Sequence, residues 1–130
     1  MAGERANGLL STALGMAMCV GGIGVAANAC LGLWTRSTVE SVAYDTARRV
    51  AETPSGRDPA AQSRLALVNA RHTLGPVESM VGLRFESTGP DEVALRVTYA
   101  GVGLLPRLVG GGPTVGAIDR RIVVHRESWP

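Results

Sequence analysis

The side chains that most often carry chemistry are sparse here and do not converge in sequence. The two histidines, His72 and His125, lie far apart, and neither has a Cys or a second His at the spacing of a zinc site. His72 falls near the end of an expected helix, where the helix dipole favours a cation without any further role. Asp91-Glu92 and Glu86 are close in sequence, but Asp91 belongs to a turn and reads as a solvated carboxylate rather than half of an acid–base pair. Gly110-Gly111-Gly112 lacks the Lys-Ser/Thr and the following helix that would make it a phosphate loop. Cys19 and Cys30 would stand about 16 Å apart on one helix, beyond the roughly 7 Å that a disulfide spans. These patterns predict a protein that is not an enzyme, with no cofactor, no metal and no small-molecule substrate.

What the chain does contain is small residues at four-residue spacing. Ala13, Ala17 and Gly21 form one row, Gly22, Ala26 and Cys30 a second, and Gly24, Asn28 and Gly32 a third. Such rows let helix backbones approach closely, and in a membrane they favour association with other helices. Overlapping as they do, the three rows single out no one face.

The element that positions them is an apolar segment from Leu9 to Trp34, inside a stretch with no charged residue between Arg5 and Arg36. As a helix it would be about 39 Å long, enough to cross a hydrocarbon core of about 30 Å with some tilt. Gly is common in membrane helices, and Trp34 sits where an interfacial aromatic belongs. The organisation predicted is a short cytoplasmic leader over 1–8, a transmembrane helix over 9–34, and an α+β domain over 35–130. A competing reading takes Ala27-Asn28-Ala29 as a signal-peptide cleavage site with Cys30 following, which would leave a secreted or lipid-anchored binding module. The apolar run continues past that site through Leu31 and Leu33, which favours the anchor. A buried helix of a soluble protein would rarely run so long without a charge.

The net charge of +2 is small, and charges of both signs are interspersed after Arg36, so the basic stripe of a nucleic-acid binder is missing. With five aromatic side chains in the whole chain, the core must be built from Val, Leu, Ile and Ala. All basic residues are Arg, as in the proteins of GC-rich bacteria. Arg36, Arg48 and Arg49 follow the apolar segment whereas Arg5 precedes it, and a count of basic residues alone would place the domain inside the cell.

Beyond the apolar segment, Val39, Val42, Ala43, Ala47, Val50 and Ala51 recur at intervals of three and four. One helix from about Leu9 to Glu52 is therefore expected, half apolar and half amphipathic, with Asp45 paired to Arg48 and Arg49 and with Thr53-Pro54-Ser55-Gly56 ending it. Asp58-Pro59 starts a second helix and Gly75-Pro76 stops it, with Ala61, Leu65, Val68 and Leu74 expected to pack on the first. The period then changes to two. Val81, Leu83 and Phe85 form one strand, Val93, Leu95, Val97 and Tyr99 another, with a turn over 87–91 between them, and 118–126 gives a third. The link from Ala100 to Gly116, with Leu104, Leu105, Leu108 and Val109 beside a glycine run, reads either as a partner-docking loop or as a cap on a small core. The fold class is α+β: a long N-terminal transmembrane and amphipathic helix, a second helix, then a small antiparallel sheet of about three strands.

The segment Leu33-Trp34-Thr35-Arg36-Ser37-Thr38-Val39-Glu40-Ser41-Val42-Ala43-Tyr44-Asp45-Thr46-Ala47-Arg48-Arg49 resembles the post-membrane segment of TadE-like proteins, the small pilin-like membrane proteins of the tight-adherence (Flp) pilus system. Leu95-Arg96-Val97-Thr98-Tyr99 and Leu104-Leu105-Pro106 are also similar to that family, and the likeness is best over residues 7–52. The resemblance implies a bacterial cell-membrane protein with a single pass, its domain outside the cytoplasm, touching membrane lipid and other pilin-like subunits or pilus assembly proteins. It also implies cleavage by a prepilin peptidase between Gly8 and Leu9. The family usually has a Glu at the fifth mature position, where this chain has Ala13. That difference points to a member that assists assembly rather than polymerising.

Overall fold

A computed structural model describes residues 2–54, 58–89, 91–104 and 113–126, with residues 2–7 described by their backbone alone. Helix α1 runs from Ala2 to Ala51, 50 residues and about 75 Å of unbroken helix. It starts seven residues before the expected Leu9, because nothing from Ala2 to Gly8 is a proline or a capping signal strong enough to stop it. Its far end is held by strand β5 (Ile118–His125), after which the Arg126 guanidinium donates to the Val50 carbonyl, one of the carbonyls a helix C-terminus leaves without an internal partner. Ser55 and Gly56, expected in the terminating turn, lie outside the described residues.

The amphipathic half of α1 buries the stripe that its spacing predicts. Val39, Ala43, Ala47, Val50 and Ala51 are buried and Val42 is half-buried. Thr46 shares that stripe, and its hydroxyl is satisfied by donating to the Val42 carbonyl at 2.6 Å. On the polar face the pairing differs from expectation. Arg48 bonds Glu52 at 2.6 Å rather than Asp45, and Arg36 bonds Glu40 at 3.3 Å. Glu placed four residues after Arg outcompetes Asp45, whose shorter side chain reaches less far along the helix.

Helix α2 (Pro59–Leu74) starts as its sequence dictates. The Asp58 carboxylate accepts from the Ala60 amide at 3.0 Å, Pro59 occupies the first turn, and Gly75 closes the end at a φ of 54°. A 3₁₀ stretch, Gly75–Met80, then leads into the sheet. The packing face of α2 is a correction. Ser63, Ala70 and Leu74 are buried with Ala66 and Leu67 beside them, whereas Leu65 and Val68 are 59% and 62% exposed. A face of small residues can approach the Ala-lined stripe of α1 more closely than one bearing Leu65 and Val68, and the closer approach prevails.

Strands β1 (Val81–Thr88), β2 (Glu92–Tyr99) and β5 form one antiparallel sheet in the order β1-β2-β5. Its inner face sets Leu83, Phe85, Leu95, Val93, Val97, Tyr99 and Ile118 against the two helices, with Leu95 and Val97 wholly buried. A β-bulge in β1 leaves Glu86 without a cross-strand partner, so that Phe85 faces Leu95 while Ser87 faces Ala94. Within the link read as a loop, two short strands pair instead: β3 (Val102–Gly103) with β4 (Thr114–Val115). Val102 packs on the core, which favours the capping alternative at that end, while Leu105, Leu108 and Val109 lie outside the described residues.

Candidate functional site

The two halves of α1 have opposite surroundings. From Gly8 to Ala27 every residue is exposed, with Leu9, Met16 and Val20 each at 70% or more. This is also the part that makes the helix apolar enough to cross a membrane, its mean hydropathy reaching 1.8. The small residues of the first two rows that fall on it stand uncovered, as does Gly24 of the third. Ala13, Ala17 and Ala26 are exposed, and a Cβ added at Gly8, Gly21, Gly22 or Gly24 would meet nothing within 4 Å. Gly8 and Leu9, the expected cleavage pair, lie on the same exposed helix, and the Thr12 hydroxyl donates to the Gly8 carbonyl at 2.9 Å. That bond satisfies the Thr12 hydroxyl's donor within the helix.

The third row of small residues is different, because the chain itself uses it. Asn28 donates its amide to the Leu104 carbonyl at 3.3 Å. One turn on, Gly32 receives the β3–β4 hairpin: a Cβ there would stand 2.8 Å from the Val115 carbonyl oxygen. Gly101 and Gly116 complete the fit at φ values of 81° and 82°, a conformation that favours glycine. A Cβ on Gly101 would also come within 2.8 Å of the Val115 oxygen, and one on Gly116 would overlap the Gly32 carbonyl. Three glycines thus interlock around one peptide, and a single seat on α1 fixes the hairpin. The contacts of the folded domain therefore reach into the apolar segment as far as Asn28. Asn28 as the polar exception in an apolar run was the available signal for this seat; the role of Gly116 left none.

The outer face of the sheet carries a charge cluster that spacing along the chain does not reveal. Register sets Arg84, Arg96 and Arg121 directly opposite one another across the three strands. Like charges in that arrangement repel, and Asp119 and Glu86 are what offset it. Asp119 takes two hydrogen bonds from Arg96 at 3.0 Å, and Glu86, aimed by the bulge, lies 3.4 Å from Arg96 and 3.1 Å from Arg121. Hydrogen bonding and charge from Asp119, then Glu86, hold the Arg96 guanidinium more firmly protonated than an ordinary one. Glu92 adds a contact to Arg121 at 3.7 Å, and Asp91 is exposed, accepting only through its backbone from the Arg126 amide.

His72 is exposed in the last turn of α2 and His125 is exposed at the end of β5. Among the described residues no three His, Cys, Asp or Glu side chains come together as metal ligands would. Cys19 and Cys30 are both free thiols on the exposed face of α1. A groove of about 90 Å³ between α1 and α2 is lined by Asp45, Thr46, Arg49 and Asn69 among others. It is well short of the roughly 300–1,000 Å³ typical of ligand pockets. Gly110, Gly111 and Gly112 lie outside the described residues. Set against known proteins, the chain matches no family model, no curated protein and no solved structure.

Proposed function

We propose that this chain is a membrane-anchored, non-catalytic subunit of the TadE-like kind, a minor pilin or pilus-assembly component. One observation carries the reading: a single unbroken helix whose first twenty residues from Gly8 are apolar and uncovered while its second half is the spine of a folded domain. A helix with no protein around its apolar half needs a solvent as apolar as itself, and a span of about 30 Å suits a bilayer. The uncovered rows Ala13-Ala17-Gly21 and Gly22-Ala26 suit helix packing against other pilin-like subunits inside it. On this reading the domain stands outside the cytoplasm and makes protein contacts there, and the work done is associative.

The test is the mature N-terminus of the protein recovered from cell fractions, by intact mass and terminal sequencing. A membrane-bound chain starting at Leu9 supports a processed pilin-like subunit. A membrane-bound chain starting at Met1 or Ala2 supports an unprocessed assembly component. A water-soluble product starting near Cys30 would sink the reading in favour of an exported binding domain.

A further inference from the structure

We infer that the β3–β4 hairpin sits at the lipid headgroup layer, so that the folded domain stands directly on the bilayer with no linker between them. The inference rests on the anchor reading above and adds where the membrane ends along α1. The apolar segment alone places that end near Trp34, whereas the hairpin places it near Asn28.

Three observations converge on the earlier boundary. Between Arg5 and Asn28 the sequence has 22 residues and no charge, about 33 Å of helix, enough to span the hydrocarbon thickness. Among the described residues, the hydrogen bonds from the rest of the chain to this segment begin at Asn28, whose amide is paired with the Leu104 carbonyl. The hairpin is bound to α1 by the interlocked Gly32, Gly101 and Gly116, which leave it no room to slide along the helix. Its strands are two residues each and form a two-stranded sheet of their own, with open edges. Hydrocarbon does not tolerate unpaired, lipid-exposed backbone, so a hairpin of this kind stops at the headgroups. Elsewhere around α1 at this level the composition is that of an interface: Leu31 and Leu33 are exposed, Trp34 is 65% exposed, and Arg36 follows.

The chain carries its own probes. Cys19, Ala26 and Cys30 fall along one side of α1, turned away from Asn28, with the two thiols about 16 Å apart along the axis. The full-length protein would be reconstituted in phosphatidylcholine–phosphatidylglycerol nanodiscs, which expose both membrane faces to water. It would then be treated with a charged, membrane-impermeant maleimide and read by intact mass and peptide mapping. The expected result is one label per chain, at Cys30, with Cys19 protected. In a second preparation, Ala26→Cys in a Cys30→Ala background, labelling is expected to be at least tenfold slower than at Cys30 in the native chain. No label at Cys30 puts the hairpin's level inside the hydrocarbon and overturns the inference while leaving the anchor intact. Labelling of the Ala26→Cys variant as fast as Cys30 overturns it from the other side, by placing the boundary below the hairpin. Rapid labelling at Cys19 as well removes the anchor and the inference together.

Discussion

Helix α1 repeats one pattern in two settings. Ala13 and Ala17 stand four residues apart in its first half, and Ala43 and Ala47 stand four apart in its second. The second pair is wholly buried, because β2 and its neighbours close on the helix where the side chains are smallest. The first pair is exposed, with no described residue covering it. Small residues at this spacing therefore permit a close approach to the helix, and they do not report by what. In the second half it is the chain's own sheet; in the first, no described residue takes that place. Gly32 sits between the two regimes, where the same device receives a hairpin backbone.

The contrast is broken most severely from the packed side. Leu95, wholly buried beneath the stripe of α1, is the largest fully buried side chain. Leu95→Ala is expected to lower the unfolding free energy by about 2–5 kcal/mol, read by denaturant titration of the full chain in detergent micelles with near-ultraviolet circular dichroism. Leu14→Ala, in the uncovered half, is expected to leave the same transition in place. A comparable loss at Leu14 would mean that the two halves fold as one unit.

Next in size is the seat between them. Gly116→Ala forces a Cβ onto the Gly32 carbonyl at a φ of 82°, and a cost of about 1–3 kcal/mol is expected. Hydrogen exchange should locate that loss at 101–104 and 113–117 rather than in the three-stranded sheet. Exchange that rises evenly over β1, β2 and β5 would show that the hairpin is part of the main cooperative unit. Smaller again is Asp58→Ala, which removes the side-chain acceptor from the Ala60 amide. It is expected to cost about 0.5–2 kcal/mol by the same titration, without altering how the chain behaves in a membrane.

How far the sequence could be read follows the same division. Local periodicity was enough for α1, α2 and the three longer strands, since each has a period and a stop signal of its own: Asp58-Pro59, Gly75, and the turn before Glu92. It misplaced the face of α2, because Leu65 and Val68 look like core while Ser63 and Ala70 do not. What decides there is the distance of closest approach to Ala43 and Ala47, a property of two elements together. The β3–β4 pair was hidden for a related reason: strands of two residues have no period, and their place is set by Gly32, about seventy positions or more away in the chain. The arginine row needed strand register, which a bulge at Glu86 shifts by one. The uncovered rows of α1 were legible as a pattern, but neither sequence nor fold contains anything that covers them among the described residues.

The smallest effect on folding should come from filling those rows, and it is the sharpest use of the comparison. Ala17→Leu adds bulk where α1 has no neighbour within the chain, so the domain's unfolding free energy should move by less than about 0.5 kcal/mol. Ala43→Leu makes the same chemical change at a wholly buried position, where overpacking is expected to cost about 1–3 kcal/mol. In a bilayer the order should reverse. Ala17→Leu removes the close approach that favours helix association and should lower energy transfer between donor- and acceptor-labelled chains, whereas a folded domain variant such as Asp58→Ala should not. If Ala17→Leu left association unchanged at equal lipid ratio, the Ala13-Ala17-Gly21 row would be a lipid-facing surface only, and the search for a partner would move to the row of Gly22 and Ala26.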